Sequence, residues 1–484
     1  MRDMILVVDY QHDFCQNIAR KLRAEHIYCK VVARDTAVEQ LRAQEASGVI
    51  LAGGLDADQG LEQDVQDCAR IVSLGLPVLA MGSASISLLS AIGGCAGEVC
   101  LSHQAQSVRY ADIPLFDGVV EGERWLECAR TLSLPPEVSV IAQCEAGTIA
   151  FGHNHQPLYG VQFQVEQNDP DGMAILANFA LRICRCTAWW STEAFIERSQ
   201  SELERVAEAG RALCAVSGGV DSTVCASLTY RALGPRMQAL VLENGLMREG
   251  EAEATYNMLS EMDISTARVD ISTQVFAALR GLTDMEEKRR AVIGAMHEAV
   301  DAFADSMGGV QLLVQGTNYS DIMIGHMPER GASGPLRSVL PLRELFKDEV
   351  RRVAEQLNLP GDVVKRPPFP AAGLAMRIVG ETTPERVAIL RAADAIFAEE
   401  IRASGQEKRL AKYFPTLASG VEAGFAGELI VLRAVHASDR RMLPARLPYD
   451  LTERVTERIL SALPGVSRVF YDLTPSSAQD ENFQ

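Results

Sequence analysis

The chain has 484 residues, of which 47% are hydrophobic and 23% charged, and its formal net charge is −18. This length is enough for about two to four domains, and the acidic balance disfavours nucleic acid as a partner, since binding it needs a basic surface. The apolar stretches are strand-sized and the N-terminus lacks a signal-peptide pattern, so we expect a cytoplasmic protein that does not contact a membrane.

The first segment alternates predicted strands with amphipathic stretches. Strands that alternate with helices are typical of an α/β domain with a largely parallel sheet, which we expect to end near Cys186. Ser191 or Thr192, at the end of a linker, is expected to cap the next helix. The predicted strands are 5–8, 49–51, 78–80, 138–142 and 160–163, and the predicted helices are 15–24 and 195–207.

The second segment also alternates, whereas the third is a mixture of helices and strands. Alternation predicts a doubly wound sheet, whose ligands bind at the carboxyl ends of the strands. A cluster of prolines from Pro360 to Pro370 separates this segment from a smaller α+β segment. The second segment has predicted strands at 213–216, 239–242, 266–269 and 312–315 and a helix at 343–357; the third has helices at 384–403 and 449–463 and strands at 429–435 and 466–473.

The most informative stretch is Ser217-Gly218-Gly219-Val220-Asp221-Ser222, between a predicted strand and a predicted helix. The glycines let a ligand approach the backbone, whose N–H groups can bind an anion together with the positive end of the helix. Ser217 and Ser222 add hydroxyl groups, and Asp221 can bind Mg²⁺. The loop lacks the Walker pattern, and an ordinary turn before a helix is the alternative. It resembles the pyrophosphate loop of N-type ATP pyrophosphatases, which split ATP into AMP and pyrophosphate.

Further polar residues follow the strands or begin the helices of the second segment. Glu243 ends the second strand, where a carboxylate can bind a ribose hydroxyl, and Arg248 follows it. Taken singly, each charge run is equally consistent with a solvated helix face. The other candidates are Lys288, Gln315, Gly316, Thr317, Asp321, Lys347 and Asp348.

Taken in order, these motifs resemble the GMP synthetase family along nearly the whole chain. The resemblance also covers Cys184-Arg185-Cys186, residues 391–397, 432–435, 447–450 and 468–472. It implies a flavodoxin-like class I glutamine amidotransferase domain (1–187), an adenine-nucleotide-hydrolase-like ATP pyrophosphatase domain (192–368) and an α+β dimerisation domain (369–484), hence a homodimer. In that family ATP adenylates O2 of xanthosine monophosphate, and ammonia then displaces AMP to give GMP.

The resemblance implies ATP and Mg²⁺ as cofactors. We assign residues 217–222 to the β- and γ-phosphates, Glu243 and Arg248 to the nucleoside end, and Gln315, Gly316 and Thr317 to the same nucleotide site. Asp221 and Asp348 are the expected metal ligands. The catalytic candidates are Asp221, Lys288, Asp321, Lys347 and Asp348.

The amidotransferase segment departs from the family at its nucleophile and its base. Gly82 holds the place of the family's cysteine in Ala80-Met81-Gly82-Ser83-Ala84, and Gln164 holds the place of its histidine. Only Glu166 of the triad remains. Because glycine has no nucleophile and an amide is not a base, we predict that this domain has no glutaminase activity. Ser83 lacks a histidine partner that would activate it.

The acceptor side departs as well. The family's lid carries a lysine-containing motif, whereas residues 322–340 contain no lysine, and residues 476–484 lack the cation and the acidic groups of the family's C-terminus. These changes favour a different acceptor, which is a purine nucleotide or a specialised metabolite. The nucleophile would be ammonia, an amine, or sulfur from a separate donor protein. Two alternatives stay open: an ammonia-dependent GMP synthetase, and a non-catalytic ATP-binding scaffold or sensor.

Overall fold

The computed structural model describes most of the chain as two compact units, Met1–Phe195 and Ile196–Gln484. The described residues are 3–10, 12–34, 46–54, 61–163, 165, 170–323, 336–364, 369–370, 372–421, 424–438 and 441–477. Within them, no helix is long and apolar enough to cross a membrane.

The first unit is built on a sheet whose described strands number nine, in the order β2-β1-β3-β4-β9-β8-β7-β5-β6. The half from β2 to β9 is parallel, and the half from β9 to β6 is antiparallel. The strands are β1 Ile5–Asp9, β2 Cys29–Ala33, β3 Gly48–Ala52, β4 Val78–Met81, β5 Cys95–Tyr110, β6 Gly122–Ser133, β7 Val138–Cys144, β8 Gly147–His153 and β9 Leu158–Val161.

The parallel half carries the core of this unit. Strands β1, β3 and β4 are buried almost throughout, as expected for parallel strands covered by helices on both faces. The predicted strand at 160–163 lies two residues earlier, and the sheet is less parallel than the alternation suggested. The described helices are α1 His12–Ala24, α2 Leu61–Val72, α3 Ser83–Ala91 and α4 Pro170–Asn178, followed by a wider turn over Phe179–Ile183.

The second unit begins with a five-stranded sheet in the order β12-β11-β10-β13-β14, whose pairings are all parallel. The strand order reverses between β10 and β13, so the carboxyl end of β10 is a topological switch point, where ligands of such sheets bind. The strands are β10 Arg211–Ala215, β11 Met237–Glu243, β12 Thr266–Asp270, β13 Val310–Val314 and β14 Arg337–Val339.

Helices connect these strands. Ser191 caps α5, because the Ala194 N–H donates to its Oγ at 3.1 Å. The predicted helix at 343–357 is wrong at its start: residues 341–344 form a turn, and the helix begins at Lys347. The described helices are α5 Thr192–Ala207, α6 Val220–Leu233, α7 Glu251–Glu261, α8 Ser272–Leu279, α9 Met285–Met307, α10 Tyr319–Met323, α11 Lys347–Gln356 and α12 Gly361–Val364.

The C-terminal segment packs onto the same core. Leu213 and Leu240 of the parallel sheet belong to one buried cluster with Leu374, Phe397 and Ile430. The C-terminal segment therefore shares its buried core with the parallel sheet. Its described elements are α13 Pro384–Ala403, β15 Lys412–Ser419, β16 Glu428–Ser438, β17 Arg441–Pro444, α14 Tyr449–Ala462, β18 Val466–Tyr471 and β19 Ser476–Ser477.

Candidate active site

The loop at residues 217–222 joins β10 to α6 at the switch point. Gly218 has a φ of 80°, which favours glycine, and Gly219 is the extended residue before the helix. The Ser222 hydroxyl accepts from the Ser217 N–H at 3.2 Å and donates to the Gly219 carbonyl at 3.1 Å. The loop is thus closed on itself by its own side chain.

The same loop can bind phosphate. The N–H groups in the first turn of α6 have no partner within the helix, and they point out of its positive end. Ser217 is exposed at the mouth of the loop. Gly316 packs directly against the start of α6, because a Cβ built there would lie 2.8 Å from the Ser222 nitrogen. Only glycine allows this approach of the two strand ends.

Asp221 lies in the first turn of α6 and is the centre of a polar cluster. Its Oδ2 accepts from the Lys347 ammonium, and its Oδ1 accepts from the Asn318 amide at 3.3 Å. The Asn318 N–H donates to the Asp321 carboxylate at 3.0 Å. The structure therefore brings together Asp221, Asp321 and Lys347 beside the loop.

Lys347 is held in this cluster by the segment before it. The Tyr319 N–H donates to the Leu345 carbonyl at 2.9 Å, and the rings of Tyr319 and Phe346 meet edge to face. The Phe346 N–H donates to Glu349, which caps α11. Arg198 of α5 donates to Glu344 at 2.6 Å. These contacts fix the direction from which the Lys347 side chain reaches Asp221.

The residues present fit a Mg²⁺ that arrives with the nucleotide. Mg²⁺ is usually bound by one or two carboxylates together with phosphate oxygens and waters. Asp221 supplies such a carboxylate at the loop. Asp348 is 54% exposed and pairs with Arg352 one turn along α11. Among the described residues, no group of three or more metal-binding side chains is present, so a preformed all-protein cage does not exist there.

Two predicted residues at the nucleoside end are held by ion pairs. Glu243, at the end of β11, pairs with Arg268 of β12 at 2.6 Å. Arg248 donates to Asp394 of α13 at 3.0 Å, and Asp394 also binds the buried Arg377. Burial lowers the pKa of Arg377 to about 10, although Asp394 opposes the shift. Arg248 thus connects the loop after β11 to the C-terminal segment.

Lys288 has no exposed surface. Its ammonium donates to the Ile378 carbonyl at 2.7 Å. Burial, and then the positive charge of Arg386, lower its pKa to about 8. Its contacts are with the C-terminal segment rather than with Asp221 or the loop. Gln315 and Thr317 flank Gly316, and the Gln315 carbonyl accepts from the Cys225 thiol.

Gly82 forms the turn between β4 and α3 in the first unit. It has φ 57° and ψ −132°, and a Cβ built there would lie 2.5 Å from the Gly53 carbonyl oxygen. The Ser83 N–H, which follows the turn, donates to the Gly54 carbonyl at 2.9 Å. Gln164 and Glu166 lie outside the described residues.

A small cavity lies beside this turn. It is partly open to solvent, and its inner volume is about 20 Å³. Gln162, which is buried, forms one wall and bonds both backbone groups of Arg130, at 2.7 and 3.0 Å. The other lining residues are Gly54, Gly82, Ser83, Ile86, Cys128 and Arg130.

The matches to known proteins cover nearly the whole chain. Three family models match in order: glutamine amidotransferase class-I over 6–183, NAD synthase over 194–388 and GMP synthase C terminal domain over 399–479. A relative from Caldicellulosiruptor saccharolyticus, named GMP synthase [glutamine-hydrolyzing], is 33% identical and covers 98% of each chain. The chain belongs to the GMP synthase family.

Further family members have the same span. The relative from Symbiobacterium thermophilum is 35% identical over 98% of this chain and 97% of its own, and that from Thermomicrobium roseum is 35% identical over 98% and 95%. Both carry the name GMP synthase [glutamine-hydrolyzing]. The expected family and the order of its three parts are therefore confirmed.

Sequence reasoning missed two parts of this site. Asn318 was not singled out, although an Asn before a helix with an acidic residue three positions later is a recognisable cap. The hydrogen bond from Ser83 to Gly54 has no signal in the sequence, because it depends on how two loops approach each other. The hydrogen bond from Asn318 to Asp221 lies beside the candidate phosphate loop, and the hydrogen bond from Ser83 to Gly54 lies at the turn where the family has its cysteine.

Proposed function

We propose that the chain is an AMP- and pyrophosphate-forming ligase without glutaminase activity, which takes its nitrogen or sulfur from outside its first domain. The acceptor's carbonyl oxygen attacks the α-phosphorus of ATP, and the bond to pyrophosphate breaks. The nucleophile then attacks the carbonyl carbon, loses a proton, and AMP leaves with the former carbonyl oxygen. The acceptor is a purine nucleotide or a related metabolite.

The arrangement around Asp221 supports the ATP half of this proposal. A glycine-rich loop before a helix, a carboxylate and a lysine ammonium lie together at the switch point of a parallel sheet. Lys347 can neutralise charge that develops on the departing pyrophosphate. Mg²⁺, when bound through Asp221, would neutralise the phosphates further. Membership of a family of ATP-using ligases agrees with this reading.

The turn at Gly82 is the main observation that supports the absence of glutaminase activity. An amidotransferase needs a nucleophile at this turn and N–H donors for the oxyanion. Gly82 supplies no nucleophile, and the Ser83 N–H is already bonded to Gly54. The first domain therefore serves another purpose, such as docking a donor protein.

The C-terminal segment supports a homodimer. Val421, Phe425 and Phe470 leave much of their apolar surface exposed, and the rings of the two phenylalanines contact each other. Burial of this surface against a second copy would be favourable. Measuring the mass in solution by light scattering tests this: a monomer at micromolar concentration contradicts it.

The test of the ATP half is AMP release over a panel of purine nucleotide acceptors with ammonium. We expect AMP and pyrophosphate in equal amounts, and we expect Asp221→Asn to reduce both at least 100-fold, since it removes the carboxylate of the loop (about 3 kcal/mol). If Asp221→Asn releases AMP at the wild-type rate, the assigned site is wrong. ADP as the product would contradict the reaction type.

Ammonia-dependent GMP synthesis is the second candidate. It is favoured by relatives that are 33–35% identical over nearly their full lengths and carry the GMP synthase name. Xanthosine monophosphate, ATP, Mg²⁺ and ammonium should then give GMP. GMP formation would select this candidate, and its absence with AMP release from another acceptor would select a changed substrate. Tight ATP binding without pyrophosphate release from any acceptor would instead indicate a sensor or scaffold.

A further inference from the structure

Asn318 connects three elements of the second unit. It is 2% exposed and lies between β13 and α10. Its Nδ2 donates to Asp221 Oδ1 of α6 at 3.3 Å. The next residue, Tyr319, bonds through its backbone to Leu345, close to Lys347. Asn318 thus contacts Asp221 from a buried position.

The orientation of the Asn318 amide is set by its own hydrogen bonds. The Asp321 N–H donates to Asn318 Oδ1 at 3.2 Å, and the Asn318 N–H donates back to the Asp321 carboxylate at 3.0 Å. This reciprocal cap uses the oxygen of the amide, so the nitrogen must face Asp221. A flipped amide would place two donors or two acceptors against each other.

The two oxygens of Asp221 therefore have partners of different kinds. Oδ2 pairs with Lys347, whose side chain is 34% exposed and ends a flexible stem. Oδ1 pairs with an amide that is buried and fixed by the cap. When phosphates enter the loop, Lys347 can turn from the carboxylate to the ligand, whereas Asn318 cannot move without breaking the cap.

We propose that Asn318 is a positioning residue, which keeps the Asp221 carboxylate oriented for the cation of MgATP after Lys347 has turned to the phosphates. This role rests on the proposed function. It predicts that Asn318 affects the requirement for Mg²⁺ more than it affects folding. It also explains why a polar residue lies at a buried position next to an apolar ring cluster, that of Tyr319 and Phe346.

The test compares Asn318→Leu with a control, Asn178→Leu. Asn178 is also a buried amide, in the other unit, and donates to the carbonyls of Leu115 and Asp117. ATP binding is measured by calorimetry across Mg²⁺ concentrations, with the melting temperature of each variant. For Asn318→Leu we expect the half-saturating Mg²⁺ to rise about 10-fold, from the loss of one hydrogen bond to a charged group. Asn178→Leu should melt earlier and keep the wild-type Mg²⁺ dependence.

A second variant, Asn318→Asp, keeps the shape and places a carboxylate beside Asp221. Lys347 and the nearby Asp321 also face this pair. Because an acceptor replaces the amide N–H that donates to Asp221 Oδ1, the half-saturating Mg²⁺ for ATP binding should differ from that of wild type. A purely structural role would lower the melting temperature without changing the half-saturating Mg²⁺.

The outcomes separate the two proposals. If wild-type protein binds ATP and both Asn318 variants show the wild-type Mg²⁺ dependence, the positioning role alone is overturned. Wild-type protein that binds no ATP at any Mg²⁺ concentration would overturn the proposed function and this role with it.

Discussion

A side chain at position 82 should be destabilising and should not restore glutaminase activity. Gly82 has a φ of 57°, and a Cβ there would lie 2.5 Å from the Gly53 oxygen and 2.9 Å from the Gly54 oxygen. Backbone strain of this kind costs about 1–3 kcal/mol, and the contact with two carbonyls adds to it unless the loop retreats. We therefore expect Gly82→Ala to melt roughly 3–10 °C below wild type.

The matched control is Gly75→Ala. Gly75 has a similar φ of 69°, but nothing lies within 4 Å of a Cβ built there. It therefore measures the cost of a positive φ without such a contact, about 1–2 kcal/mol. The difference between the two variants, read from thermal unfolding, reports the cost of closing the turn at Gly82 against Gly53 and Gly54. Equal melting temperatures for the two variants would contradict the claim that a side chain at position 82 contacts the carbonyl oxygens of Gly53 and Gly54.

Glutaminase activity is measured in Gly82→Cys and in the double variant Gly82→Cys/Gln164→His. The first variant restores the cysteine that the family has at this turn, and the second also restores the histidine. Because the Ser83 N–H is bonded to Gly54, the oxyanion would still lack a donor. Loss of one such donor costs about 100- to 1,000-fold in rate. Glutamate release is the assay. Glutamine hydrolysis by the double variant at a rate typical of enzymes, about 1 per second or faster, would refute the reasoning.

Three further predictions concern the second unit. Lys347→Met should raise the KM for MgATP about 10-fold or more, since it removes a charged partner of the phosphates, whereas Lys288→Met should leave that KM unchanged; equal effects in steady-state kinetics would contradict the assignment. The pKa of Lys288 falls from 10.5 to about 8 on folding, so the folded chain binds fewer protons between those values and its free energy of unfolding should rise with pH there; urea unfolding should show a smaller rise in Lys288→Met, and an identical rise in both proteins would be evidence against the burial. Arg198→Ala should cost only about 0.5–1 kcal/mol of stability but raise the KM for MgATP a few-fold through Glu344, and unchanged kinetics would exclude that path.

Much of the fold follows from the sequence because its parallel strands are continuous apolar runs. Buried strands such as β3 and β4 can be recognised in the sequence for this reason. The β5–β6 ribbon does not, because much of it is exposed and its residues are mixed in character, so local pattern gives no signal. The start of α11 was placed four residues too early, because the turn before it contains good helix formers.

The candidate sites were predictable only where the residues that form them are neighbours in the sequence. The loop at 217–222 and the missing nucleophile at Gly82 are readable in the sequence. The roles of Arg248 and Lys288 are not, since the structure places them against Asp394 and Ile378, which are distant in the chain. Charged residues near a phosphate loop look alike in sequence, whether they face a ligand or a buried carbonyl.

The most direct test of the account compares ammonium and glutamine as the only nitrogen source in the AMP-release assay, with xanthosine monophosphate and related purine nucleotides as acceptors. The account predicts that ammonium supports stoichiometric AMP and pyrophosphate and that glutamine gives neither the aminated product nor free glutamate. Equal product from glutamine, with one glutamate released per AMP, would contradict it.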